Sequence, residues 1–134
     1  MPPSINIDET TKTRVLVVDD NQPSAMTLKW GLETQGYDVV TCFDGPSAIS
    51  LAESFQPQVI LLDIGMPVMN GLEVCRRIRA HPKLRATTIY AQTGWGDQAI
   101  RQKTRDAGFD HHMTKPIDLD ALLSLIEDSE QRLH

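Results

Sequence analysis

Two apolar runs, Val15-Leu16-Val17-Val18 and Val59-Ile60-Leu61-Leu62, constrain this chain more than any other feature. Short uninterrupted runs of this kind are the pattern of strands buried on both faces. Both end in acid: Asp19-Asp20 follows the first run and Asp63 the second. If the two strands are parallel neighbours, three Asp side chains meet at one edge of a sheet. Three carboxylates repel one another, so such a cluster asks for a cation. A hard divalent ion such as Mg²⁺ suits oxygen ligands and tolerates retained waters.

The rest of the chain alternates strand and helix signals. Arg14–Val18 reads as a first strand, followed by a helix over 22–35 with Asn21 as its cap and Gly36 as its stop. A second strand over 38–43 leads to a short amphipathic helix, Gly45–Phe55. Pro57 bounds a third strand over 58–62, and a loop over 65–70 precedes a helix over 71–81. In that helix Leu72, Cys75 and Ile78 form the apolar stripe, leaving Arg76, Arg77 and Arg79 for water. A fourth strand over 87–92, a helix over 97–107 thin in apolar residues, a short strand over 110–114 and a helix over 118–131 complete five βα units. Residues 1–12 are polar with two prolines and read as a flexible tail, leaving 13–134 as one domain.

Such alternation implies an α/β fold, a doubly wound five-stranded parallel sheet with helices on both faces. Right-handed crossovers place ligands beyond the C-terminal strand ends, at a topological switch point. That is where the acidic residues lie. The flavodoxin-like strand order 2-1-3-4-5 sets the first strand beside the third and brings Asp19, Asp20 and Asp63 together. This order is taken from folds of the class, not read from the residues.

The net charge of −5 argues against a general nucleic-acid binder. The longest apolar runs are far short of a membrane span, and the N-terminus lacks the regions of a secretory signal. Cys42 and Cys75 are isolated, and read as small buried hydrophobes in a reducing cytoplasm. Trp30 reads as a packing residue of the first helix.

Two further residues complete a site. Thr93 follows the fourth strand and offers a hydroxyl; Lys115 follows the fifth and offers an ammonium. The pattern Val17-Val18-Asp19-Asp20-Asn21, Leu62-Asp63-Ile64-Gly65-Met66-Pro67 with Asn70-Gly71, Gln92-Thr93-Gly94 and Lys115-Pro116 resembles the receiver domain of two-component response regulators. Any one match would be weak; in order, each at a strand end, they are a strong signal.

The resemblance implies roles position by position. Asp63 matches the phosphoacceptor, which takes a phosphoryl group from a partner phosphohistidine. Asp20 matches a direct Mg²⁺ ligand, with Asp19 acting through water and the Gly65 carbonyl as the backbone ligand. Thr93 matches the switch hydroxyl, and Lys115 the ammonium that pairs with phosphoryl oxygens. The family's cis bond is expected at Lys115–Pro116. Physical chemistry supports the same assignment. A carboxylate can attack phosphorus, and phosphoryl transfer needs positioning and charge neutralisation above all.

The chain departs from the family pattern at two places. Where the family has Tyr or Phe three residues before the Lys, His112 stands, and Trp95 takes a position usually small or polar. The runs Thr93-Gly94-Trp95-Gly96 and Gly108-Phe109-Asp110-His111-His112 resemble a receiver subgroup often linked to hybrid histidine kinases. His112 or Trp95 is then the switch aromatic.

The expected protein is a cytoplasmic, single-domain phosphoacceptor rather than an enzyme. Its expected partners are a histidine kinase, hybrid or otherwise, or a histidine phosphotransferase, together with a downstream protein target, and neither nucleic acid nor membrane. Only Arg132-Leu133-His134 follow the last helix, so no output domain is expected. A haloacid-dehalogenase-like phosphohydrolase would need a second Asp where Gly65 stands. A pseudo-receiver adaptor would not need Asp63, Thr93 and Lys115. A flavodoxin-like FMN binder would need a phosphate-cradling loop where Asp19 and Asp20 would repel the phosphate.

Overall fold

A computed structural model of the chain describes residues 12–94 and 98–132. The expected tail therefore lies outside the described residues except for the exposed Lys12, and so does Trp95. Five strands, β1 (Arg14–Val18), β2 (Asp38–Cys42), β3 (Val59–Asp63), β4 (Thr88–Thr93) and β5 (His111–Thr114), form one sheet in the order β2-β1-β3-β4-β5. Every pairing is parallel. The helices between and after them are α1 (Gln22–Thr34), α2 (Gly45–Phe55), α3 (Gly71–Ala80), α4 (Gln98–Ala107) and α5 (Leu119–Arg132). A 3-10 turn, Pro82–Leu84, which periodicity did not reveal, joins α3 to β4.

The two faces of the sheet follow from strand alternation. Leu16, Val18, Ile60, Leu62, Ile89 and Ala91 pack with Ala48 and Ala52 of α2, Val74, Cys75 and Ile78 of α3, and Ala107 of α4. Val15, Val17, Val59, Leu61 and Tyr90 pack with Ala25, Leu28 and Leu32 of α1 and Leu122 and Ile126 of α5. The central strands are thus covered on both sides, which is why β1 and β3 carry no polar alternation. Burial pushes the Cys42 thiol up to about 12 and that of Cys75 up to about 11, as expected of cysteines acting as small hydrophobes. Among the described residues, no helix is long and apolar enough to cross a membrane.

Local chemistry sets the helix starts. The side chains of Asn21, Asp44 and Asn70 accept from the backbone N–H groups of Ser24, Ser47 and Glu73, each closing an N-cap. Gly71 opens α3 where no side chain fits: a Cβ there would lie 2.5 Å from the Asp63 carbonyl oxygen and 2.7 Å from the Ile64 Cα. This close approach seats the start of α3 against the end of β3.

Two side chains depart from their expected environment. Trp30 is 63% exposed rather than packed, because the buried positions of α1 are Ala25, Leu28 and Leu32 and position 30 points away from them. Arg79 is not left to water like Arg76 and Arg77. Its guanidinium donates to the carbonyls of Gly108 (2.9 Å), Thr87 (2.6 Å) and Arg85 (3.2 Å) and pairs with Asp110 at 2.6 Å. Asp110 in turn accepts from the Ile89 N–H, so one arginine ties α3 to the start of β4 and to β5.

Candidate functional site

Strand ends carry the site. Asp63 is the last residue of β3 and Thr93 the last of β4, while Asp19 and Asp20 follow β1. The pairing of β1 with β3 sets Val18 beside Leu62, which brings the three acids to one edge. Carboxylate oxygens of Asp19, Asp20 and Asp63 all lie within 4.8 Å of one another. Asp19 is fully buried and Asp63 is 6% exposed, whereas Asp20 faces solvent.

Backbone and ammonium groups hold these carboxylates in place. Asp19 Oδ1 accepts from the Asn21 N–H at 2.9 Å, and Asp63 Oδ1 from the Gly65 N–H at 2.8 Å. Lys115 Nζ donates to Asp19 Oδ2 at 2.9 Å and to Asp63 Oδ2 at 3.2 Å. Lys115 is itself placed by its backbone N–H, which donates to the Thr93 carbonyl at 2.7 Å, and by a cis Lys115–Pro116 bond. The expected cis bond is therefore present.

The electrostatics are uneven. Burial pushes the Asp19 carboxyl above its ordinary range, although the Asn21 N–H and Lys115 oppose the shift and the Asp63 charge adds to it. Burial pulls Lys115 down, but its hydrogen bond to Asp19 and the charges of Asp63 and Asp19 outweigh that, and the net shift is upward. Lys115 pairs with Asp19 and Asp63, yet burial still biases Asp19 toward its neutral form, and the Asp63 charge adds to this imbalance. A divalent cation would relieve this imbalance, and three clustered carboxylates are the hard oxygen donors such an ion takes. The residues present fit a Mg²⁺-type ion.

The structure also places the residues flanking this centre. Thr93 is 3% exposed, and its Oγ1 lies 3.4 Å from His112 Nε2. On its other side, His112 Nδ1 lies 3.5 Å from Thr104 Oγ1 on α4. His112 is half-buried on β5, not an exposed loop residue. The chain pattern had not singled out Thr104; a threonine buried in a helix of few apolar residues was the available signal.

Fold and site together define a phosphoacceptor domain, with a carboxylate cluster and an invading ammonium at the C-terminal edge of a doubly wound sheet. A family model for the response regulator receiver domain matches residues 15–127, and the chain belongs to that family. Over 105 residues, 78% of this chain, it is 36% identical to the response regulator PleD of Caulobacter vibrioides. It spans only 23% of that relative's length. Among solved structures, chemotaxis protein CheY4 of Vibrio cholerae superposes with a TM-score of 0.84 at 28% identity, covering 88% of this chain and 98% of that one. The signal receiver domain of a signal transduction histidine kinase from Syntrophus aciditrophicus superposes with a TM-score of 0.79 at 28% identity, covering 87% and 88%. The chain is thus a receiver domain of the two-component class.

Proposed function

We propose that Asp63 is the phosphoacceptor, that Asp20 and Asp63, with Asp19 acting through water, are the side-chain ligands of Mg²⁺ and the Gly65 carbonyl its backbone ligand, and that Thr93, Lys115 and His112 are the groups that respond. The observation that carries this reading is Lys115, whose ammonium bridges Asp19 and Asp63 across the mouth of the carboxylate cluster.

The donor is a phosphohistidine of a histidine kinase, free-standing or hybrid, or of a histidine phosphotransferase. An Asp63 carboxylate oxygen attacks phosphorus, an O–P bond forms, the P–N bond breaks, and the electron pair leaves with the imidazole nitrogen. Mg²⁺ at the acidic cluster would neutralise phosphoryl oxygens that the carboxylates would otherwise repel. The Gly65 N–H holds Asp63 Oδ1 and so fixes the carboxylate plane during attack. Lys115, already 3.2 Å from Asp63 Oδ2, transfers its contact from carboxylate to phosphoryl oxygen. Asp19 keeps the ammonium in reach from below.

The new phosphoryl group supplies an acceptor for the Thr93 hydroxyl, which then leaves His112. His112 then reorients, and with it the contact to Thr104 on α4. This makes the output a changed protein-contact surface on α4 and β5 rather than a chemical product, with a downstream protein as its reader. The chain's acidity and the absence of a membrane-spanning helix among the described residues support a partner that is neither nucleic acid nor membrane, and a cytoplasmic setting.

The test is labelling with Mg²⁺ and acetyl phosphate, followed by a phosphorylated kinase. One phosphoryl group per chain, lost on Asp63→Asn, is expected. Undiminished labelling of that variant would remove Asp63 from the role, and steady turnover of phosphomonoesters would favour a phosphohydrolase.

A further inference from the structure

Charge is spread unevenly over this acidic chain. Helix α4 carries Arg101, Lys103 and Arg105 against a single acid, Asp106, although the chain as a whole bears a net charge of −5. Arg101 and Arg105 stand four residues apart and so share one face of the helix. With Thr104 they line a cleft of about 250 Å³ between α4 and β5, whose other wall includes Phe109, His111 and His112. One acid, Asp110, also lines the cleft, but the Arg79 guanidinium holds it at 2.6 Å and the Ile89 N–H at 2.8 Å. Its charge is thus matched from α3 and does not offset the two arginines. The His111 ring is stacked on Tyr90 with centroids 4.6 Å apart, and His112 lies between the hydroxyls of Thr93 and Thr104.

Two guanidiniums on one face call for carboxylates, which an arginine fork holds through parallel N–H···O bonds. The surface is longer than one small anion. The same two arginines border a second depression of about 530 Å³ along α4, with Gln98, Ala99 and Gln102. A run of acidic residues can reach both depressions, whereas a lone anion can fill only one. We propose that this face docks an acidic segment of the downstream protein, whose carboxylates pair with Arg101 and Arg105. The inference rests on the reading of α4 and β5 as the responding surface and names the chemistry of its partner. His112 couples the two sites, because the hydroxyl it loses on phosphorylation is that of Thr93 and the helix it touches through Thr104 carries both arginines. Movement of that ring reshapes the cleft between the arginines and β5. By linkage, a phosphoryl mimic at Asp63 changes the affinity for the acidic segment, and the segment changes the affinity for the mimic by the same factor.

The test uses the full chain and a blocked hexaglutamate peptide as the probe, with hexaglutamine and hexalysine as controls. Backbone amide and arginine Nε–H resonances are followed by NMR at low salt. Hexaglutamate should shift the resonances of Arg101, Arg105 and β5, and neither control should. Exposed ion pairs are weak and screened, so raising the salt to about 0.15 M should lower the affinity about two- to tenfold. The double variant Arg101→Glu/Arg105→Glu changes two exposed positions and keeps the buried Thr104 and Ala107; it should fold and lose the shifts. Lys83→Glu, an exposed cation away from α4, should retain them. Beryllofluoride with Mg²⁺ should change the hexaglutamate affinity by about fivefold or more. The proposal is overturned if hexaglutamate moves Lys12 and Lys83 as strongly as α4, or if the double variant binds unchanged. It is also overturned if the chain sediments as a dimer through α4 that hexaglutamate does not dissociate. Beryllofluoride occupancy is read separately at the Asp63 and Gly65 amides. Occupancy with an unchanged hexaglutamate affinity overturns the coupling, whereas no occupancy at all counts against Asp63 and leaves the recognition of acid to be judged by the other arms.

Discussion

Lys115 reaches across 96 residues of chain to place its ammonium 2.9 Å from Asp19 Oδ2, a carboxylate with no exposed surface. The pair is the electrostatic hinge of the site, because Asp19 otherwise stands buried beside two more acids. Removing the cation partner strands that charge. Lys115→Ala should therefore destabilise the metal-free protein by about 1–2 kcal/mol, less than a fully buried pair because Lys115 is partly exposed. Mg²⁺ should restore more stability to this variant than to the parent. Chemical denaturation with and without Mg²⁺ reads both effects; an equal Mg²⁺ response in the two proteins would contradict the argument.

Acid should weaken the response to Mg²⁺. The Asp19 carboxyl is raised above its ordinary value of 3.8 by burial, so the fold binds its proton more tightly than the unfolded chain does. For this group alone, stability grows as pH falls through the folded pKa toward 3.8 and is lost as pH rises through the same window. Lys115, raised above 10.5, contributes stability at all lower pH and loses it as pH rises through its folded value. A divalent ion needs ionised Asp19 and competes with its proton. The Mg²⁺-induced rise in melting temperature should be smaller at about pH 5 than at about pH 7.5. Asp20→Ala should reduce it at both. A response independent of pH would separate the ion from Asp19.

Beryllofluoride, a phosphoryl mimic, should move the His112 ring resonances, since the mimic draws Thr93 Oγ1 away from His112 Nε2. Thr93→Ala should abolish that movement while leaving labelling of Asp63 possible. His112→Tyr restores the family's usual ring and should preserve the coupling to α4. A His112 spectrum indifferent to beryllofluoride would assign the switch elsewhere.

Arg79→Ala should cost about 1.5–3 kcal/mol, because three carbonyls and Asp110 lose one charged donor set. Arg76→Ala and Arg77→Ala, on exposed ion pairs with Glu73, should each cost under about 0.5 kcal/mol. Comparable losses at all three positions would return Arg79 to the solvated face. Urea denaturation provides the comparison.

Amide exchange should be faster in α4 than in α3. The buried residues of α4 are only Thr104 and Ala107, against Gly71, Val74, Cys75 and Ile78 in α3, and an element with few buried apolar contacts opens at low cost. Protection of α4 equal to that of α3 would remove it as the responding element.

Strand identity, helix caps and the acidic edge were legible from the chain because their causes are local. An apolar run of four residues can bury itself only as an interior strand here, and a carboxylate directly after it must sit at the strand end. Asn21, read as a cap, closes α1 through the Ser24 N–H; Asp44 and Asn70, not singled out as caps, cap α2 and α3 by the same local geometry. Thr93 was legible for the same reason, although β4 runs one residue further than its pattern suggested and takes Thr93 as its last member. Tertiary packing decided the rest. Nothing near position 79 distinguishes its arginine from those at 76 and 77; only the arrival of the α4–β5 junction supplies the Gly108 carbonyl and Asp110. The packing role expected of Trp30 misreads a local signal, since Ala25, Leu28 and Leu32 lie at i, i+3 and i+7 and position 30 falls off that stripe. His112 acquires its place between Thr93 and Thr104 only when separate βα units pack together. Propensity and capping act over a few residues of sequence. The groups that tune this site meet across crossovers, where pairing partners are set by the sheet and not by neighbours in the chain.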